Sequence, residues 1–357
     1  MGKAAGVPLS GVKKVMIRSA NWVGDTVMSL PAIASLRLNF PRARIHILAK
    51  PWVADIFRAN YDVDEVILYQ NPGIHQGLAG KWRLARELKK KNFDLAFLLQ
   101  NAFEAAFISV LAGIPKRAGY NTDGRSLLLT HPVLLRKEVK GGHQVDYYLA
   151  ILKSLGLKLA SRIPSLKIAP ASQEEASRIL QSLGLGESET LVGISPGATY
   201  GPAKQWFPER YAELSGRISE GLGARVLIFG SQGDKKIASR VCRNARIPLI
   251  DLTGITTLAQ ASALIARCKL FVTNDSGLMH VGAALGVPLV AIFGSTDHRR
   301  TGPLGEACRV IHKPVTCWPC LKTECPEETR CMDLISVDEV YEEVESLLAN
   351  RQRMNNQ

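Results

Sequence analysis

The chain has 357 residues, 46% of them hydrophobic and 22% charged, a globular composition that excludes a disordered, collagenous or coiled-coil protein. Forty-five basic against 32 acidic residues give a formal net charge of +13, which directs attention to an anionic partner: nucleic acid, a phosphorylated metabolite or a negative membrane surface. At about 150 residues per domain the length implies two domains, and two lobes imply a cleft.

The opening residues MGKAAGVPLSG hold no apolar run of signal-peptide length, and no later stretch reaches the ~18 continuous apolar residues of a spanning helix. A soluble, intracellular protein is expected. The seven cysteines, an odd number, suit a reducing compartment better than a disulfide framework.

Short β-branched apolar runs then alternate with helical stretches, the pattern of βαβ units building a parallel sheet. In the first half the runs Lys14–Arg18, Arg44–Leu48, Glu65–Leu68, Asp94–Leu99 and Lys116–Gly119 read as strands. Between them lie helices over Val27–Asn39 and over Lys81–Lys91, the latter with Trp82, Leu84, Ala85 and Leu88 assigned to one face. The signal weakens from Ile163 to Ser188, where Pro164, Pro170 and a polar run mark a boundary. A second set of strands follows at Leu191–Ser195, Arg225–Phe229, Leu249–Leu252, Leu270–Thr273, Leu289–Phe293 and Arg309–His312. The expected fold is α/β: two Rossmann-like parallel-sheet domains, 1–170 and 171–335, facing a cleft, then a closing helix (Val337–Leu348) and frayed tail within 336–357.

No G-x-G-x-x-G follows the first strand and no G-x-x-x-x-G-K-S/T loop is present, which argues against NAD enzymes and P-loop kinases. Instead the first strand leads into Asn21-Trp22-Val23-Gly24-Asp25. Asp25 stands where a helix begins, so it either caps that helix or offers a carboxylate that accepts a proton from a substrate hydroxyl. In the second half a strand runs into Asn274-Asp275-Ser276-Gly277-Leu278-Met279-His280. Ser276 can cap the helix Gly277–Leu285, whose unpaired first-turn amides form an anion site suited to phosphate. His280, four residues on, is either a packed histidine or a further donor to the same ligand. The loop Ser195-Pro-Gly197-Ala-Thr199-Tyr-Gly201-Pro-Ala-Lys204-Gln-Trp206 carries one lysine, either solvated or a point charge for a diphosphate. Asp62-Val-Asp64 spells the D-x-D of metal-dependent glycosyltransferases but reads as a turn before a strand.

At these residues, and in FLLQNAFEAAFISVLAGIPKRAGY, FGSQGD and TNDSGLMHVGAALGVPLVAIFG, nearly the whole chain resembles the ADP-heptose:lipopolysaccharide heptosyltransferases, inverting enzymes of the GT-B architecture, and within them the heptosyltransferase II group. The resemblance implies transfer of L-glycero-D-manno-heptose from ADP-heptose to the first heptose of the lipopolysaccharide inner core, on Kdo-lipid A, at the cytoplasmic face of the inner membrane. It implies Asp25 as general base, and Lys204 with the Ser276 and Gly277 amides as diphosphate clamp. Asp275, Leu278 and His280 then lie beside the donor, and Thr199 and Thr256 line the nucleotide. It implies no required cofactor, no nucleic acid, and peripheral contact with an anionic membrane, for which Arg117, Arg125, Arg136, Lys137 and Lys140 are candidate acceptor contacts. Heptosyltransferase I, or a transferase of another nucleotide sugar, is the alternative.

One feature stands apart from the resemblance. Cys317, Cys320, Cys325 and Cys331 fall within 15 residues, opened by C-x-x-C, and read either as a structural zinc or iron–sulfur site or as plain reduced thiols.

Overall fold

The computed structural model describes residues 11–355, and the opening segment in which no signal peptide is expected lies almost wholly outside them. The chain divides into two compact units, the first ending at Lys167 and the second beginning at Ile168. Among the described residues no helix is long and apolar enough to cross a membrane.

The first unit is built on β1 (Lys14–Arg18), β2 (Arg44–Ala49), β3 (Glu65–Leu68), β4 (Leu95–Leu98), β5 (Lys116–Tyr120) and β6 (His131–Val133), in the order β3-β2-β1-β4-β5-β6. All pairings are parallel, with Val15 opposite Ile45 on one side and Leu95 on the other. β4 (LAFL) is apolar from end to end and β1 is apolar over Val15–Ile17, as suits a parallel sheet whose central strands are buried on both faces. Three departures from the sequence reading occur here. β6 has only three residues, with Pro132 in the middle, too short for a periodic signal and tolerable only on an edge strand. The predicted helix at Val27 is two helices, Val23–Met28 and Leu30–Asn39, joined at Ser29. Trp82 is half exposed, whereas Leu84, Ala85 and Leu88 are buried, since two residues along a helix turn through about 200° and leave the shared face.

The second unit repeats the plan with β7 (Leu191–Ser195), β8 (Arg225–Ile228), β9 (Ile250–Asp251), β10 (Leu270–Asn274), β11 (Leu289–Phe293) and β12 (Cys308–His312), ordered β12-β11-β10-β7-β8-β9. Every residue of β7, β10 and β11 is buried. Gly193 in β7 leaves room for the Phe271 ring, which lies 2.7 Å from where a Cβ would stand. The last helix, Val337–Asn355, puts Val337, Val340, Val344 and Leu347 into the same core as Val192, Trp206 and Ile292. Each such side chain contributes about 1.5–3 kcal/mol on burial, so this helix is an integral wall of the second unit. It also continues as helix through residues 350–355, where a frayed tail was expected.

Candidate functional site

In both sheets strand order reverses once: between β1 and β4 in the first, between β7 and β10 in the second. Loops leaving neighbouring strands at such a point diverge to opposite faces, opening a crevice at the carboxyl ends where ligands bind in folds of this kind. In the second unit the two loops are those singled out in the sequence, Ser195–Lys204 after β7 and Asp275–Gly277 after β10.

Asn274, fully buried at the end of β10, ties them together. Its amide donates to the Pro196 carbonyl at 2.6 Å, and its carbonyl oxygen accepts from the Trp206 amide and the Tyr211 hydroxyl, both at 3.1 Å. Sequence reading passed over Asn274 because nothing in the string shows that a loop lying 70 residues upstream would close on it. Gly197 has no space for a side chain, since a Cβ there would stand 2.1 Å from an Asp234 carboxylate oxygen. Asp234 is itself fixed by the Ser231 amide and hydroxyl. Gly201 takes φ +152°, and a Cβ on it would meet the Thr323 carbonyl oxygen at 2.4 Å. Trp206 is wholly buried, with Nε1 donating to the Ile335 carbonyl. The loop is therefore rigid at both ends.

Lys204 is neither solvated nor free. Its ammonium donates to Asp275 Oδ2 at 2.5 Å and sits 4.6 Å from the Tyr200 ring centre. Thr296, in the loop after β11, donates to the same Asp275 oxygen at 2.6 Å. The Thr296 carbonyl in turn accepts from Trp318 Nε1. Thr296 is a site residue the sequence did not reveal, because nothing local marks a threonine after a buried strand as a partner for Asp275. The helix Gly277–Ala284 begins directly after this pair, with Ser276 at its N-cap accepting from the Met279 amide at 3.4 Å. Gly277 and Leu278 occupy the first turn, where backbone N–H groups lack intrahelical partners. His280 is buried on this helix, 6% exposed. Thr199 is exposed on the Lys204 loop, and Thr256 lies half buried after β9, two strands from β7.

In the first unit Asp25 occupies the first turn of the helix Val23–Met28, whose N-cap is Trp22, with no side-chain capping bond. The capping reading of Asp25 therefore fails, since the carboxylate lies inside the turn, not ahead of it. The Tyr148 hydroxyl donates to Asp25 Oδ1 at 3.4 Å. Burial, reinforced by the Asp25 charge, pushes the Tyr148 phenol well above its ordinary pKa, which keeps it a donor. Two candidate acceptor contacts are internal struts instead. Arg125 is fully buried, bonded to the carbonyls of Tyr120 and Gln100 and to Asn101, and burial lowers its pKa to about 10. Arg117 is bonded to the carbonyls of Leu128 and Ile114. In the D-x-D spelling, Asp64 accepts from Arg37 and the Ile45 amide, and Asp62 closes a turn on Asn60.

The four clustered cysteines line one cavity of about 210 Å³, together with Ala203 and Ser295. All are free thiols, and among the described residues no group of three or more His, Cys, Asp or Glu is arranged to hold a metal ion. Burial raises the pKa of Cys331, and the neighbouring Cys325, Cys320 and Cys317 add to the shift. The loop carrying them is nonetheless a brace for the site: Thr323 O accepts from the Ala203 amide and Leu321 O from the Tyr200 hydroxyl.

Both the sequence and the fold have counterparts among known proteins. The sequence pattern described as glycosyltransferase family 9 (heptosyltransferase) matches residues 81–330. Lipopolysaccharide heptosyltransferase 2 of Escherichia coli (strain K12) is 34% identical over 315 residues, 84% of this chain and 87% of that protein. Its counterpart in Salmonella typhimurium is 35% identical over 316 residues, with 84% and 87% covered. The solved structure of E. coli ADP-heptose LPS heptosyltransferase II superposes with a TM-score of 0.82 at 30% identity, covering 95% of this chain and 99% of that one. The chain thus has the GT-B fold and belongs to glycosyltransferase family 9, the heptosyltransferases.

Proposed function

We propose that the enzyme transfers L-glycero-D-manno-heptose from ADP-heptose to the first heptose of the lipopolysaccharide inner core, on lipid A carrying Kdo, with inversion at the anomeric carbon. The observation that carries the reading is the Lys204–Asp275 pair at the start of the helix Gly277–Ala284. A cation and a row of unpaired amides at one strand end form a seat for a diphosphate, and the relatives at 34–35% identity are named for heptose transfer to lipopolysaccharide.

In this reading the acceptor hydroxyl attacks the anomeric carbon as the bond to ADP breaks, and Asp25 takes the hydroxyl proton. A positioned base supplies about 10²–10⁴ in rate. The negative charge growing on departing ADP is met by the Lys204 ammonium and the Gly277 and Leu278 amides, an electrostatic contribution of similar size for each donor. An ammonium has three N–H donors, so Asp275 can hold Lys204 in place and leave others for phosphate oxygens. Asp275 and His280 stand beside the donor heptose, and Thr199 and Thr256 line the nucleotide. Because Lys204 and the helix amides take the charge that a divalent cation takes in metal-dependent transferases, the reading calls for no cofactor. The net +13 suits an acceptor with phosphates and carboxylates in an anionic leaflet, hence work at the cytoplasmic face of the inner membrane.

The test is to incubate the protein with ADP-heptose and acceptors bearing either no heptose or one, and to weigh the products. A single heptose added only to the one-heptose acceptor is expected. Addition to the heptose-free acceptor would assign the first transfer instead, and no addition to either would end the reading.

A further inference from the structure

The first unit holds a group of charges that the chemistry above does not use. Arg18 closes β1 and Lys50 follows β2, and both are buried, 2% and 8% exposed. They pack against the same ring: the Arg18 guanidinium carbon is 5.3 Å and the Lys50 ammonium 4.1 Å from the centre of Tyr69. Their hydrogen bonds go to neutral groups. Arg18 donates to the carbonyls of Ser19 and Leu48 and to Asn21 Oδ1, and Lys50 to the carbonyl of Asn71. The carboxylate nearby, Glu104, is ion-paired with Lys81 at 2.7 Å and accepts from the Tyr69 hydroxyl.

Three cations therefore share one carboxylate. Burial first, then repulsion from Arg18, lowers the Lys50 pKa, with Glu104 pulling the other way more than Lys81 pushes, and burial lowers that of Arg18 to about 10 against smaller pulls from Tyr69 and Glu104. Packing like charges together out of water is costly unless something neutralises them, and a bound oxyanion would do so. The place is consistent with a ligand. The group sits at the carboxyl ends of β1, β2 and β3, next to the reversal between β1 and β4. It is also joined to the Asp25 loop, since Asn21 accepts from Arg18 and its carbonyl accepts from Trp52 Nε1 at 2.7 Å.

We infer that Arg18 and Lys50 form an oxyanion subsite that takes a carboxylate or phosphate carried by the acceptor close to its reacting hydroxyl. The inference rests on the proposed transfer reaction and adds to it a named specificity determinant. A guanidinium offers such a group two parallel N–H bonds, and the ammonium beside it supplies the second charge.

The experiment compares wild type, Lys50→Gln and Lys50→Arg on three forms of the one-heptose acceptor: intact, with carboxylates methyl-esterified, and dephosphorylated. Loss of one charge-assisted contact should raise the acceptor KM of Lys50→Gln about tenfold to a hundredfold, with the ADP-heptose KM within about twofold and Lys50→Arg close to wild type. The difference between wild type and Lys50→Gln should vanish on one modified acceptor, the ester if the anion is a carboxylate and the dephosphorylated form if it is a phosphate. Thermal melting of Lys50→Gln separates misfolding from lost recognition. An unchanged acceptor KM, or an equal rise on all three acceptors, overturns the subsite. Absence of transfer by wild type overturns the underlying reaction, a different result from either.

Discussion

The Lys204 ammonium is held 2.5 Å from the buried Asp275 carboxylate, a largely enclosed pair joining the loop after β7 to the loop after β10. Such a pair gives modest net stability, because desolvation offsets most of the attraction, while loss of one member leaves the other charge buried and alone. Lys204→Ala is therefore expected to cut kcat about 10²–10³-fold, the usual effect of removing one transition-state donor. Asp275→Asn should fall in the same range. The double variant should lose far less than the product of the two, since the residues act as a unit. Product assays by mass spectrometry, with circular dichroism to show an intact fold, check this.

Asp25→Ala should lower kcat about 10²–10⁴-fold with an unaltered melting temperature, because the residue lies on a half-buried first turn and does not cap its helix. Near-normal turnover would remove the general-base assignment. Tyr148→Phe, which deletes the hydroxyl facing Asp25, should reduce kcat by about tenfold or less.

Trp206 is the anchor of the Lys204 loop. Trp206→Ala should destabilise the second unit by about 3–5 kcal/mol, chiefly from the lost core volume, since the Ile335 carbonyl keeps its bond from Arg210. Denaturant melts followed separately in each unit should show the loss confined to the second.

His298, His312 and Trp318 pack as a mutual cluster of rings, with the His298 centre 4.1 Å from His312 and 5.6 Å from Trp318, and His312 5.1 Å from Trp318. Its pKa is lowered, first by burial and then by His312, against an opposing pull from Asp297 that outweighs the small further push of Arg299. The folded state therefore binds this proton less readily than the unfolded chain. Stability from this site is complete above about pH 6.5 and declines as pH falls below it, by at most about 1.4 kcal/mol per pH unit. His298→Gln should flatten the melting temperature between pH 7 and 5, and an unchanged slope would contradict the stack's role.

The cysteine loop makes a sharper chemical forecast. Cys317 is exposed and should be alkylated by iodoacetamide first, whereas Cys331 and Cys268, buried and pushed up in pKa, should react last. Elemental analysis finding one zinc or iron per chain would mean instead that the four thiols gather around a metal.

The repeat of strand and helix was legible in the chain because burial on both sheet faces forces β-branched runs such as LVGIS and LVAIF, a composition visible without neighbours. The same holds for the N-cap at Ser276 and for the Gly-Pro loop ending in Lys204, since caps and turns are set by a few adjacent residues. One short element escaped: β6 has three residues, too few for a period, whereas the two-residue β9 fell inside the predicted run Leu249–Leu252. Trp82 was assigned to the wrong face by composition alone.

What the sequence determined by itself was local: the order of elements, the turn chemistry, and a string specific enough to carry a family resemblance. What only the tertiary structure decided was partnership. That Lys204 and Thr296 meet on one oxygen of Asp275, that Arg125 is an internal strut, and that Arg18 and Lys50 crowd one tyrosine ring all depend on contacts between groups 19 to 71 residues apart along the chain. Hydrogen bonds and charge pairs act over a few ångströms of space, and only the folding of each unit around its own sheet brings such distant positions within that range.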